Sequence, residues 1–124
     1  MKKILIVDDD PVVVALAKSR LEAKNFQVIL AADGDEGITK AQSENPDLIV
    51  MDIMMPKMDG GQAVRILKSN HATRDIPIIF LTSIISKYPQ GQEAQGINVD
   101  GVNYPTLAKP FDPAVLISEI NRWL

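Results

Sequence analysis

Short, uninterrupted apolar runs recur along this chain, and each one stops at polar or charged residues. Ile4 to Val7, Val28 to Ala31, Leu48 to Met51 and Ile78 to Leu81 show no alternation of polar and apolar positions. Runs of this length and character read as strands buried on both faces, which requires a parallel sheet covered by helices on either side. Between them the spacing turns helical: Val13, Leu16, Ala17 and Leu21, then Ile38 and Ala41, then Ala63, Ile66 and Leu67. A closing helix is expected from Asp112 as N-cap, with Pro113 at the first helical position and Leu116, Ile120, Trp123 and Leu124 on one stripe. Alternating strands and helices, joined by right-handed crossovers, give an α/β doubly wound fold in three layers. A fifth strand is expected near Thr106 to Ala108. A fourth helix is placed between Ser83 and Asn103, although Pro89 and three glycines break the helical pattern there.

Size and charge narrow the function classes. The 124 residues suit one domain, residues 1–124, with a single sheet and its covering helices. A formal net charge of −3 provides no general basic face, so direct contact with nucleic acid or anionic membrane is not expected. The chain has no cysteine, which removes disulfide and thiolate chemistry. Its N-terminal apolar segment is too short for a signal peptide or membrane span, so a cytoplasmic setting is expected.

The residues that end the apolar runs carry the chemistry. The first run ends in Asp8, Asp9 and Asp10, the third in Asp52, the fourth in Thr82 and Ser83, and the expected fifth in Lys109. In an open parallel sheet the carboxyl ends of the strands face the crevice where ligands bind. Asp10 precedes Pro11 and reads as a helix N-cap, not a ligand. Asp8 and Asp9 could be solvated loop acids, but adding Asp52 to the same rim crowds like charges at a cost of roughly 1 kcal/mol per pair in water and more in a cleft. A divalent cation removes that cost, and carboxylate oxygens with retained waters suit Mg²⁺. A carboxylate can attack phosphorus to give an acyl phosphate, a reaction that needs positioning and charge compensation. Asp52 is the candidate nucleophile, Asp8, Asp9 and Asp52 the candidate metal ligands, with Asp8 acting through water. Lys109 and Thr82 are the candidate partners for the phosphoryl oxygens.

The segments ILIVDDD (Ile4 to Asp10), VMDIMMPKMDG (Val50 to Gly60), IPIIFLTS (Ile76 to Ser83) and AKPF (Ala108 to Phe111) resemble the response-regulator receiver domains of bacterial two-component signalling. The resemblance runs from Met1 to Leu124. It implies a flavodoxin-like sandwich with strand order 2-1-3-4-5, Asp8 and Asp9 as the acidic pair, and Asp52 as phosphoacceptor. It further implies that the backbone carbonyl of Met54 completes the Mg²⁺ site and that the Lys109–Pro110 peptide is cis. The implied donors are a sensor histidine kinase, a phosphotransfer protein or a small phosphodonor, and the implied readout is contact with a downstream effector protein or domain. In such proteins the side chains two after the phosphoacceptor and two after the threonine influence hydrolysis by orienting water. Here these are Met54 and Ile84, neither of which can hold a water, so slow autodephosphorylation is expected.

The sequence departs from that pattern before Lys109. Thr106 stands where the family usually has an aromatic residue, and the nearest aromatic, Tyr104, is displaced by Pro105. The stretch between Thr82 and Lys109 is also several residues longer than the family norm, which implies an altered loop or a disturbed fourth helix. Such length reads either as a harmless surface insertion or as a different output surface. The only histidine, His71, lies in a polar stretch and reads as a solvated loop residue.

Competing classes fit less well. A flavin carrier of the same topology needs a phosphate-cradling loop after the first strand, where three aspartates stand instead. An aspartate-nucleophile phosphohydrolase usually adds an acid two residues after the nucleophile, and that position is Met54. A receiver-like module that no longer accepts phosphate would have lost members of a set that is complete here.

Overall fold

The computed structural model describes residues 1–82 and 97–124. Among them the chain runs β1 (Lys3–Val7), α1 (Pro11–Ala23), β2 (Gln27–Ala31), α2 (Gly34–Glu44), β3 (Leu48–Asp52), α3 (Gly60–Ser69), β4 (Ile78–Thr82), β5 (Ile97–Val99), β6 (Val102–Tyr104), β7 (Thr106–Ala108) and α4 (Pro113–Trp123). Five strands form one parallel sheet in the order β2-β1-β3-β4-β7, so the doubly wound topology is as expected and β7 is its fifth strand.

The continuous apolar runs make sense once both faces are covered. Alternate side chains of each strand enter opposite layers, because the pleat has a period of two. Leu5, Val7, Ile49, Met51 and Phe80 pack with Ala63, Val64 and Leu67 of α3 and Ala41 of α2. Ile4, Ile6, Leu48, Val50, Ile79 and Leu81 pack with Ala17 and Leu21 of α1 and Leu116 and Ile120 of α4. Each fully buried aliphatic side chain contributes about 1.5–3 kcal/mol against exposure. That burial, not intrinsic propensity, holds the short helices in place.

Helix starts are set by aspartates. Asp10 Oδ1 accepts from the amides of Val12 and Val13 at 2.9 and 3.4 Å, the N-cap role expected of it. Asp33 caps α2 and Asp112 caps α4 through one amide each. Asp59 caps α3 in a reciprocal box: its carboxylate accepts from the Gln62 amide, and the Gln62 side chain accepts from the Asp59 amide.

The expected fourth helix between Ser83 and Asn103 is corrected over residues 97–103. Residues 83–96 lie outside the described residues, and residues 97–104 form an antiparallel hairpin with Asn98 opposite Asn103 and Val99 opposite Val102. Its two-residue turn is Asp100–Gly101, with φ of +52° and +86°. A turn with positive φ at both central residues matches the twist of paired strands and favours Asp-Gly. Flanking β-branched residues Ile97, Val99 and Val102 complete the pattern, so the glycine marks a hairpin and not a broken helix. Ile97, Val99 and Tyr104 pack into the α3 side of the core, and the outer face carries Asn98 bonded to Asn103.

Candidate functional site

The sheet register gathers the candidate residues at one rim. Val7 is level with Ala31 and Met51, Asp52 with Leu81, and Thr82 with Ala108, so the ends of β1, β3, β4 and β7 converge. Asp8 follows β1 directly and stays anchored through its amide, which donates to the Ala31 carbonyl at 3.0 Å. Asp52 is the last residue of β3, Thr82 the last of β4, and Lys109 the first after β7, where its amide donates to the Thr82 carbonyl at 2.9 Å.

Asp8, Asp9 and Asp52 each offer a carboxylate oxygen, and these oxygens lie within 4.8 Å of one another. Asp8 and Asp52 are buried and Asp9 is exposed. The Lys109 ammonium stands among them, 2.6 Å from Asp8 Oδ2 and 3.1 Å from Asp52 Oδ2. Sequence reading gave Lys109 to an incoming anion and did not foresee this resident role as counterion to both acids. The contact to Asp52 is a hydrogen bond, and the shorter contact to the buried Asp8 Oδ2 is an ion pair. Asp8 Oδ1 accepts from the Asp10 amide at 2.9 Å, and Asp52 Oδ1 accepts from the Met54 amide at 3.1 Å.

Charge balance follows from these contacts. Burial raises the Asp52 pKa above its usual value; the Met54 amide and Lys109 oppose the rise, Asp8 adds to it, and the net direction is upward. Burial would lower the Lys109 pKa, but the two carboxylates outweigh it and hold the ammonium above the ordinary lysine range. Three carboxylates against one ammonium leave two negative charges uncompensated. A buried Asp8 oxygen that accepts no hydrogen bond, in an all-carboxylate donor set with excess negative charge, fits a hard divalent cation.

Thr82 is buried at the end of β4, beside Asp52 in sheet order. Met54 presents its backbone amide to the site, and the residue is 59% exposed. The Lys109–Pro110 peptide is cis, as the resemblance implied. His71 is exposed in the loop after α3, in keeping with a solvated loop residue. Ile84 lies outside the described residues.

The chain belongs to the response regulator receiver domain family, whose pattern it matches over residues 4–121. It is 36% identical over 124 residues to protein PilH of Pseudomonas aeruginosa, covering 100% of this chain and 98% of that protein. It is 39% identical over 112 residues to the alkaline phosphatase synthesis transcriptional regulatory protein PhoP of Bacillus subtilis, covering 90% of this chain but only 44% of that regulator. The chain thus spans less than half the length of several transcriptional regulators that it resembles. Among solved structures, the chemotaxis response regulator CheY4 of Vibrio cholerae superposes with a TM-score of 0.84 at 31% identity, covering 100% of this chain and 99% of that one. The receiver domain of a Pseudomonas aeruginosa sensor histidine kinase gives 0.82 at 30% identity over 98% and 96% of the two chains, and it was crystallised with magnesium coordinated in its active-site cleft.

Proposed function

We propose that Asp52 is a phosphoacceptor, that Asp8, Asp9, Asp52 and the Met54 carbonyl hold Mg²⁺ beside it, and that phosphorylation switches a protein–protein surface. The observation that carries this reading is the convergence of three carboxylates and one lysine at the strand ends, with an excess of two negative charges. Transfer starts when an Asp52 oxygen attacks phosphorus in line with the donor's leaving atom. The bond from phosphorus to that atom breaks as the acyl phosphate forms. Bound Mg²⁺ supplies charge compensation for a phosphoryl oxygen.

The chain's own residues do the rest. The Met54 amide fixes one Asp52 oxygen and so orients the other. Lys109 is within reach of Asp52 and is positioned to exchange its carboxylate contact for a phosphoryl oxygen. The Thr82 hydroxyl is the third donor at the rim. A sensor histidine kinase or phosphotransfer protein is the proposed donor, a small phosphodonor an alternative, and a downstream effector protein or domain the proposed reader. Met54 offers no group that could orient a hydrolytic water, so the phosphorylated form should persist for minutes or longer; a half-life of seconds would count against that.

The reading is tested by incubating the purified protein with acetyl phosphate, with and without Mg²⁺, and locating the label by mass spectrometry. Labelling of Asp52 that requires Mg²⁺ is expected. Labelling elsewhere, or none, would overturn it. No helix among the described residues is long and apolar enough to cross a membrane.

A further inference from the structure

A cleft of about 620 Å³ lies between α3 and the β5–β6 hairpin, and it shares no lining residue with the acidic rim. Its volume is that of a small-molecule site. Val64, Val99 and Val102 supply an apolar surface, of which Val102 is half exposed. The Tyr104 ring completes it, 8% exposed and held edge-on against Phe80 with centroids 5.7 Å apart.

The polar groups around that surface are mainly donors. Tyr104 lines the cleft, and its hydroxyl has no hydrogen-bond partner among the described residues. Burial, with Asp100 nearby, raises its pKa, which keeps the hydroxyl protonated. The Lys68 ammonium lies 5.9 Å from the centre of the same ring and gives two of its three protons to the carbonyls of Arg74 and Ile76, both at 2.8 Å. One proton remains. Arg65 holds the Asp100 carboxylate through Nε at 3.3 and 3.2 Å, which ties the hairpin turn to α3 and neutralises that acid. Arg74 is only loosely paired, with Nε 4.0 Å from a largely exposed Asp75 carboxylate.

Uncommitted donors thus come from three separate elements: Lys68 from α3, Arg74 from the loop after it, and Tyr104 from the hairpin. Donors from three directions suit the tetrahedral oxygens of phosphate better than the two oxygens of a carboxylate. We propose that this cleft binds a small organic phosphate, with its phosphate on Lys68, Arg74 and the Tyr104 hydroxyl and its apolar body on the valines. The pairing of Arg65 with Asp100 shapes the site by holding the hairpin against α3. Nothing in this assignment depends on the chemistry of Asp52.

The test is a titration of the Mg²⁺-free protein with phenyl phosphate, followed by amide NMR shifts. Saturable shifts at Val64, Lys68, Val99 and Tyr104 are expected, with inorganic phosphate and benzyl alcohol each binding at least about tenfold more weakly. Arg74→Gln should weaken phenyl phosphate about tenfold, and Tyr104→Phe, which keeps the ring on Phe80, several-fold, both with an unchanged melting temperature. Shifts confined to Asp52 and Lys109, or no saturation by 10 mM on the order of a weak site, would overturn the proposal. Equal binding of benzyl alcohol would also overturn it. Acetyl phosphate labelling of Asp52 in the same variants should stay intact, so failure here is distinguishable from failure of the phosphoacceptor reading.

Discussion

The Asp52 carboxylate has the Lys109 ammonium and the Met54 amide each at 3.1 Å, yet burial still pushes its pKa above the usual 3.8. A carboxyl whose pKa is higher in the folded state favours folding only while protonated. That contribution is complete below 3.8 and disappears as pH rises through the folded value. At neutral pH the ionised group therefore opposes folding, as a reactive carboxylate held among like charges would. Asp52→Asn should raise stability by about 1 kcal/mol at pH 7 without metal, a shift of a few degrees in Tm, while abolishing acetyl phosphate labelling. The gain should shrink as pH falls through the raised folded value and be gone below 3.8. A melting series across pH in EDTA checks this, and a variant less stable than wild type at pH 7 contradicts it. Lys109 behaves in the opposite sense. Its raised pKa means that its stabilising contribution is complete below the unfolded value of 10.5 and is lost as pH rises through the higher folded value. Lys109→Ala leaves the buried Asp8 Oδ2 without the only cation paired with it among the described residues and should cost about 2 kcal/mol in the absence of metal. Chemical denaturation with and without Mg²⁺ should show part of that loss recovered by the ion.

Elements bring these residues together through close approaches that leave no room for side chains. Gly60 opens α3 directly behind Asp52: a Cβ there would stand 2.8 Å from Phe80 Cε1, 3.0 Å from Ile53 Cα and 3.2 Å from the Asp52 carbonyl oxygen. Backbone cannot yield as a flexible side chain would. Gly60→Ala should cost about 1–3 kcal/mol and slow labelling of Asp52, because relief of the clash must move either α3 or the end of β3. Equal labelling rates in wild type and variant would show that the site tolerates the shift. Much of this layer was legible in the sequence. The apolar runs gave β1 to β4 because burial on both faces removes polar alternation, and Asp10 was readable as a cap from the proline after it. The hairpin was not read, although its signal was present. Val99-Asp100-Gly101-Val102 is a two-residue turn between β-branched residues, but strand–helix alternation predicts a helix there, within which the glycine reads as an interruption. The contact of Lys109 with Asp8 was illegible for a different reason: sequence order brings strand ends to one rim, but which acid an ammonium reaches depends on register and rotamer.

At the scale of the whole molecule, the sheet is a device for concentrating charge. Parallel order sends β1, β3, β4 and β7 to the same rim, so acids far apart in sequence share a few ångströms while the rest of the chain folds around them. Lys109 offsets one of the three carboxylates, and the remaining excess suits the folded rim, unlike the unfolded chain, to a divalent cation. On the proposed Mg²⁺ site, mass action links metal to stability: at a Mg²⁺ concentration a hundred times the dissociation constant the fold should gain about 2.7 kcal/mol, or roughly 10 °C in Tm for a domain of this size. Because the ligands must be ionised, the gain should fade as pH drops toward the carboxylate range. Asp9→Asn removes an exposed candidate ligand without disturbing the buried core, and it should lose most of the Mg²⁺ shift while melting close to wild type in EDTA. Asp10→Asn retains a capping oxygen and should keep the full shift. If Mg²⁺ stabilised wild type and Asp9→Asn equally across a concentration series, the ion would be acting elsewhere on the surface, and the acidic rim would have to bind phosphate by Lys109 and Thr82 alone.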